Sequence, residues 1–425
     1  MIPLGKGHRR RLWLGFSISF AALMILLYAV LILFIRGVGI WGIQIPVAWG
    51  FAIINFVWWV GIAHAGTFIS AFLLLLKQDW RNSINRSAEA MTLFAVACAG
   101  LFPLLHLGRP DLFYWLLPYP NTMHLGPQFR SPLAWDIFAV LTYLTVSALF
   151  WYLGLIPDAA TMRDKVHNKW AKRFYGVLAV GWRGSLMHWR DFKVAALILA
   201  GLATPLVISV HSIVSLDFAV AQLPGWHSSI FPPYFVAGAL YSGLAMVTTI
   251  LLPVRYFYKL EKYITADHIE KMVFMMLLTG SMVGYGYAVE VLIGFRSGDV
   301  FEKQQVLQRL MGTYSGLYWF LLVLNFGIPN LLWFPKIRSN YILLFILTIF
   351  SNVGMWLERF IIIVASLARS FLPSEAHIYS PTIWDLATLA GTLGLFFTLL
   401  FVFIRILPLM SMFELKEQTT KGSTL

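Results

Sequence analysis

The apolar residues of this chain neither alternate nor keep to one helical face; they gather in unbroken runs of twenty or more. A helix that is hydrophobic all round belongs inside other helices or inside lipid. Crossing a hydrocarbon layer of ~30 Å at ~1.5 Å per residue takes ~20 such residues. Ten stretches reach that length, at roughly 12–35, 50–77, 88–107, 132–156, 193–217, 232–256, 268–295, 310–334, 341–369 and 382–408. The runs lack the two-residue alternation of a barrel strand, and hydrocarbon tolerates no unpaired backbone, so each is predicted to be a helix. The first run is too long for a removable signal peptide, lacks a small-residue cleavage site and is expected to stay as a span. The fold class predicted is an all-α polytopic membrane protein of about ten transmembrane helices.

Composition agrees: 59% of the 425 residues are hydrophobic and only 12% charged, which excludes an ordinary water-soluble domain. The 32 Lys and Arg are unevenly placed: 23 fall at the two termini and in alternate loops, seven in the opposite loops, and Arg359 and Arg405 within spans. That bias predicts cytoplasmic termini. A net charge of +13 could suggest nucleic acid, but these cations flank spans on one side, where they set topology and attract anionic lipid. No nucleic-acid partner is expected. The single cysteine, Cys98, lies mid-span, so the chain has no intrachain disulfide and no Cys cluster for zinc or iron–sulfur. Any such centre is expected on a partner.

No Gly/Ser linker divides the chain, and no loop is long enough for a catalytic domain; chemistry is expected within the spans or at their rim. A faint internal echo aligns Gly61-Ile-Ala-His64-Ala-Gly66 with Gly238-Ala-Leu-Tyr241-Ser-Gly243, and Glu89-Ala-Met91 with Glu270-Lys-Met272. An offset of four spans keeps orientation, which fits a parallel repeat of two four-helix bundles, spans 2–5 and 6–9, with spans 1 and 10 peripheral. The divisions expected are 1–49, 50–217, 218–370 and 371–425.

Ionisable groups at membrane depth are costly and are the first functional candidates. His106 ends the third predicted span, Asp136 begins the fourth, and His211 and Asp217 end the fifth, so topology brings all four to the outer rim of one bundle. Two acids and two imidazoles would suit a hydroquinone, whose hydroxyls need hydrogen-bond partners and whose oxidation releases two protons. Helix capping and interfacial snorkelling are the plainer alternatives, since Asp136 follows Ser131-Pro132 in a first helical turn. His64, among Gly61, Ala63, Ala65 and Gly66, would either bond across a close helix contact or ligate haem; no helix repeats a two-His spacing. In the second half, Glu290, Glu358, Arg359 and Asp385 read either as internal ion pairs or as a proton route. Trp41, Trp49, Trp135, Trp226 and Trp384 fall near span ends and are expected in the interfacial aromatic belt.

The segments Gly61-Ile-Ala-His64-Ala-Gly66-Thr67, Ala99-Gly-Leu-Phe-Pro-Leu-Leu-His106-Leu-Gly-Arg109-Pro110, Ser131-Pro-Leu-Ala-Trp-Asp136, His211-Ser-Ile-Val-Ser-Leu-Asp217-Phe and Met355-Trp-Leu-Glu358-Arg359-Phe resemble the NrfD/polysulfide reductase family of quinone-interacting membrane subunits. The likeness runs from about Leu12 to the last span, and within the family it is greatest to the larger such subunit of bacterial alternative complex III. The resemblance implies residence in the bacterial inner membrane and a quinol site near the periplasmic side of the first bundle. His106, Asp136 and Asp217 fall at quinol-contacting positions, and His211, His64 and Arg130 would support them. It also implies menaquinol or ubiquinol as substrate and no haem in this chain. The partners implied are a periplasmic iron–sulfur subunit, multi-haem and mono-haem cytochrome c subunits and a second NrfD-like membrane subunit.

These readings together predict a quinol-oxidising membrane subunit that catalyses nothing alone. The rivals are a secondary transporter, which would place its polar groups at the bilayer midplane, and a haem-free structural anchor for a peripheral complex.

Overall fold

The computed structural model describes residues 6–116, 132–369, 371 and 376–415. Its helices are α1 (Lys6–Arg36), α2 (Phe51–Leu75), α3 (Asn85–His106), α4 (Pro132–Lys165), α5 (Lys169–Leu178), α6 (Leu186–Ala219), α7 (Phe231–Phe257), α8 (Ala266–Arg296), α9 (Val300–Met311), α10 (Ser315–Leu322), α11 (Ile328–Leu331), α12 (Pro335–Arg338), α13 (Tyr341–Phe360) and α14 (Ile383–Ile406). Among the described residues there is no strand, and nine helices are long and apolar enough to cross a membrane singly. The protein is a multi-pass membrane protein.

The eighth predicted run takes a different form. α10, a π-helical stretch over Val323–Gly327 and α11 make one apolar rod, and α9 precedes it at an angle of 79°. Together the two are long and apolar enough to form a broken span or a re-entrant loop. The bend follows from composition: α9 carries Glu302, Lys303 and Arg309, and the N-cap side chain of Asp299 fixes its start.

Helix packing follows the four-span offset. α2, α3, α4 and α6 pack together, α7 and α8 pack with α10, α11 and α13, and α1 pairs along its length with α14. α2 and α7 lie at the centre, where they pack on each other. Small residues permit that approach: a Cβ on Gly243 of α7 would collide with the Cβ of Ala65 on α2, and one on Gly66 would collide with the Ala88 carbonyl of α3. Without a hydrophobic force between helices in lipid, such close backbone contact is what holds them.

Two tryptophans placed in the aromatic belt from sequence are core residues instead. Trp226 is buried and its Nε1–H donates to the Ile362 carbonyl at 2.6 Å, while Trp41 is buried with its ring stacked on His106. Each sits near a span end in sequence but is packed into the core in space, a distinction hydropathy does not carry.

Candidate functional site

α4 and α6 cross so that Asp136, in the first turns of α4, meets Asp217, in the last turn of α6. Their carboxyl groups are close neighbours. A carboxylate is acceptor-only, so any hydrogen bond between two such groups needs a proton on one of them. Asp136 is 6% exposed, and the Oδ1 atom of each acid is buried without a partner among the described residues. Each acid therefore keeps an unused acceptor atom beside the other.

His106 closes α3 at the same end of the bundle. Its ring stacks on Trp41, with centroids 6.4 Å apart and planes 13° apart, and its Nδ1 is buried without a partner among the described residues. Gly108, at φ +74°, turns the chain away immediately afterwards, a conformation that suits glycine. Arg130 lies outside the described residues.

His211 does not join this group. It sits six residues before Asp217 on α6, ~9 Å further along the helix axis, fully buried, and its Nδ1 lies 3.0 Å from Nδ1 of His64 on α2. One imidazole must donate and the other accept. Of the four residues that topology brought to the rim, the structure pairs the two acids and moves His211 inward to His64. Of the two readings of His64, the structure shows the bond across a helix contact, and both Nε2 atoms are buried without partners among the described residues.

The corresponding place in the second bundle is occupied by a similar bond. Tyr241, the residue aligned with His64 by the internal echo, shares a hydrogen bond of 2.8 Å with Ser351 of α13. Both bundles therefore tie their central helix to their last one through a buried polar pair at the same point of the motif.

Around His64 lies a set of hydroxyls that sequence reasoning passed over. Tyr143 of α4 and Thr92 of α3 both donate to the Ala63 carbonyl, at 2.7 Å each, and Thr67 bonds to Ser147 at 3.0 Å. Further toward the basic face, Ser70 donates to Glu89, Arg81 lies 3.9 Å from Glu89, and Arg86 pairs with Asp158 at 3.1 Å with both side chains 1% exposed. Glu89 stood out in the sequence only as part of the echo, and Arg81 and Arg86 only as loop charges.

In the second bundle Glu358 and Arg359 form an ion pair, Tyr287 donates to Glu358, and Asn325 donates to the Tyr287 oxygen at 2.7 Å. The Arg359 guanidinium lies 5.6 Å from the ring centre of Phe235, and that ring is 6.0 Å from the ring of His211. The polar sets of the two bundles thus adjoin across one phenyl ring. Glu290 is engaged elsewhere, with Arg309 of α9, which also donates to the Gly225 carbonyl at 3.0 Å.

Asp385 is a capping residue. It closes a capping box with Thr382 at the start of α14 and accepts from the Gly42 backbone N–H at 2.9 Å, so it belongs to the helix start and not to the Glu358 cluster. Burial, with this carboxylate beside it, pushes the Tyr379 phenol above its ordinary range. Among the described residues no three His, Cys, Asp or Glu side chains converge as a metal-ligand set.

The sequence model of the family described as Polysulphide reductase, NrfD matches residues 42–370. The chain is 27% identical over 234 residues to a putative dimethyl sulfoxide reductase membrane subunit of Halobacterium salinarum, covering 52% of this chain and 49% of that protein. It is 24% identical over 208 residues to a selenate reductase subunit of Mesobacillus selenatarsenatis, covering 47% of each. It is 22% identical over 420 residues to an Hdr-like menaquinol oxidoreductase integral membrane subunit of Archaeoglobus fulgidus, covering 93% of this chain and 95% of that protein. The matches span about half the length of the first two relatives and nearly all of the third.

Proposed function

Because this chain belongs to the polysulphide reductase NrfD family, we propose that it is the quinol-binding, quinol-oxidising membrane subunit of an electron-transfer complex. The observation that carries the reading is the Asp136–Asp217 pair, which keeps unused acceptor oxygens at one rim of a lipid-exposed bundle. A quinol entering sideways from lipid donates one hydroxyl to this pair and the other to His106. Its oxidation yields quinone, two protons and two electrons; the carboxyl pair and the imidazole receive protons, or pass them to water, and a partner's redox centre takes the electrons. A full-length relative named as a menaquinol oxidoreductase subunit supports quinol as the substrate class.

The finer reading places the chain in a complex of the alternative complex III type in a bacterial inner membrane, with cytoplasmic termini. A periplasmic iron–sulfur subunit would accept the electrons and pass them to multi-haem and mono-haem cytochrome c subunits, beside a second NrfD-like membrane subunit. The orientation within that reading is supported by the charge bias of the loops, with which an acid pair on the face opposite the basic one is consistent. The Glu358–Arg359–Tyr287–Asn325 cluster, adjoining His211 through Phe235, supports a proton route through the second bundle, with Glu290 at its border.

The test is quinol:acceptor activity of the assembled complex carrying Asp136→Asn or His106→Ala, with assembly measured in the same samples. Loss of activity with assembly kept is expected. Normal turnover in both variants would remove the site and leave the chain a structural anchor; solute flux without quinol dependence would make it a transporter.

A further inference from the structure

A cavity of about 960 Å³ lies between α1 and the second bundle, and none of Asp136, Asp217, His106, His64 and His211 lines it. It exists because α1 is held by α14. A Cβ on Gly394 or Gly391 of α14 would collide with α1 backbone at Ala22–Leu23 or Leu26, whereas α1 approaches the second bundle at Arg11, whose guanidinium lies 5.3 Å from the ring centre of Phe257. The wedge left between them is walled by side chains such as Phe345, Leu393 and Phe401, with Trp58 of α2 toward its far end.

Three features define what fills it. The walls are almost wholly apolar, and water is retained only where it finds several polar partners, so the occupant is hydrocarbon. From Leu389 to Ile404 along α14 the wall measures ~22 Å of helix axis, against ~15 Å for half of the bilayer's hydrocarbon, which suits an extended acyl chain. The mouth at the basic face is cationic: Arg11 lines it, and Arg10, Lys259 and Arg405 are exposed at the same end of α1, α7 and α14. Guanidinium groups pair with phosphate through parallel hydrogen bonds.

We propose that this crevice binds one anionic phospholipid, its acyl chains in the cavity and its phosphate on Arg11. The site stands apart from the quinol reading and does not depend on it. The lipid joins α1 and α14 to the second bundle where protein does not.

The assembled complex, stripped of lipid in detergent, is offered phosphatidylglycerol or phosphatidylcholine with matched chains, and retained lipid is counted by native mass spectrometry. A phosphatidylglycerol with a photoreactive acyl chain then reports the position. The expected result is selective retention of phosphatidylglycerol, crosslinks on peptides of α1, α7, α13 or α14, and retention about tenfold weaker in Arg11→Gln. Equal retention of both lipids, or crosslinks confined to other subunits or other helices, would overturn the proposal. So would displacement by a short-chain quinone, whose hydroxyl the unpartnered Oδ1 of Asn352 in the cavity wall could accept in its reduced form. If Arg11→Gln does not assemble, the lipid competition and crosslinking on the wild-type complex decide the matter.

Discussion

His64 and His211 stand 147 residues apart in sequence, and their Nδ1 atoms meet at 3.0 Å between α2 and α6. Both side chains are fully buried, so removing one leaves a polar atom of the other without a partner. Each single His→Ala variant is expected to lose about 1–3 kcal/mol of stability. The double variant should lose less than the sum, by roughly 0.6–1.7 kcal/mol, from the average to the largest coupling measured for hydrogen bonds between membrane helices. Unfolding of the four proteins in one detergent measures this; strict additivity would mean the bond contributes nothing.

The acid pair makes a different prediction, because Asn keeps the shape of Asp and loses its proton chemistry. Asp217→Asn should leave thermal unfolding nearly unchanged while lowering quinol oxidation by ~10²–10⁴-fold, the usual contribution of a positioned base. Asp217→Glu, which lengthens the arm but keeps the acid, should recover part of the rate. Equal losses in both variants would point to packing in place of proton transfer.

The spans were legible because lipid demands long apolar runs, and the four-span packing was legible in the Gly61–Gly66 and Gly238–Gly243 motifs. The 79° bend before α10 was not, since hydropathy averages over the polar turn at α9. Topology could place Asp136 and Asp217 at one end but could not tell a rim residue from one a turn or two deeper, which is why His211 was grouped with the acids. Burial of Arg86 and Asp158 was hidden for a related reason: a cation near a span end reads as a loop charge until a partner 72 residues away is seen beside it.

Glu358 and Arg359 are 2% and 1% exposed, and breaking such a pair strands a charge in a medium that cannot solvate it. Glu358→Gln should cost about 3–5 kcal/mol, and Glu358→Gln with Arg359→Met should recover much of that loss. The same two variants speak to the proton route. If the cluster carries protons, the double variant will be stable yet impaired in proton release per quinol; unchanged release with normal turnover would reduce the cluster to a structural bond.

The approach of the two bundles can be tested by moving one methyl group across it. Gly243 of α7 faces Ala65 of α2 so closely that Gly243→Ala would force two Cβ atoms into one place, with the Ile62 carbonyl also 3.1 Å away. Overpacking of that kind costs about 1–3 kcal/mol. Ala65→Gly alone removes a methyl and adds backbone freedom, a smaller loss of roughly 0.5–1 kcal/mol. The exchange variant, Ala65→Gly with Gly243→Ala, restores the volume and should lie nearer the wild type than Gly243→Ala does. Gly201→Ala on α6, where nothing lies within 4 Å of the new methyl, serves as the control and should be neutral or stabilising. If the exchange gives no recovery, α2 and α7 do not meet at this pair, and the central contact on which the two-bundle arrangement rests is misplaced.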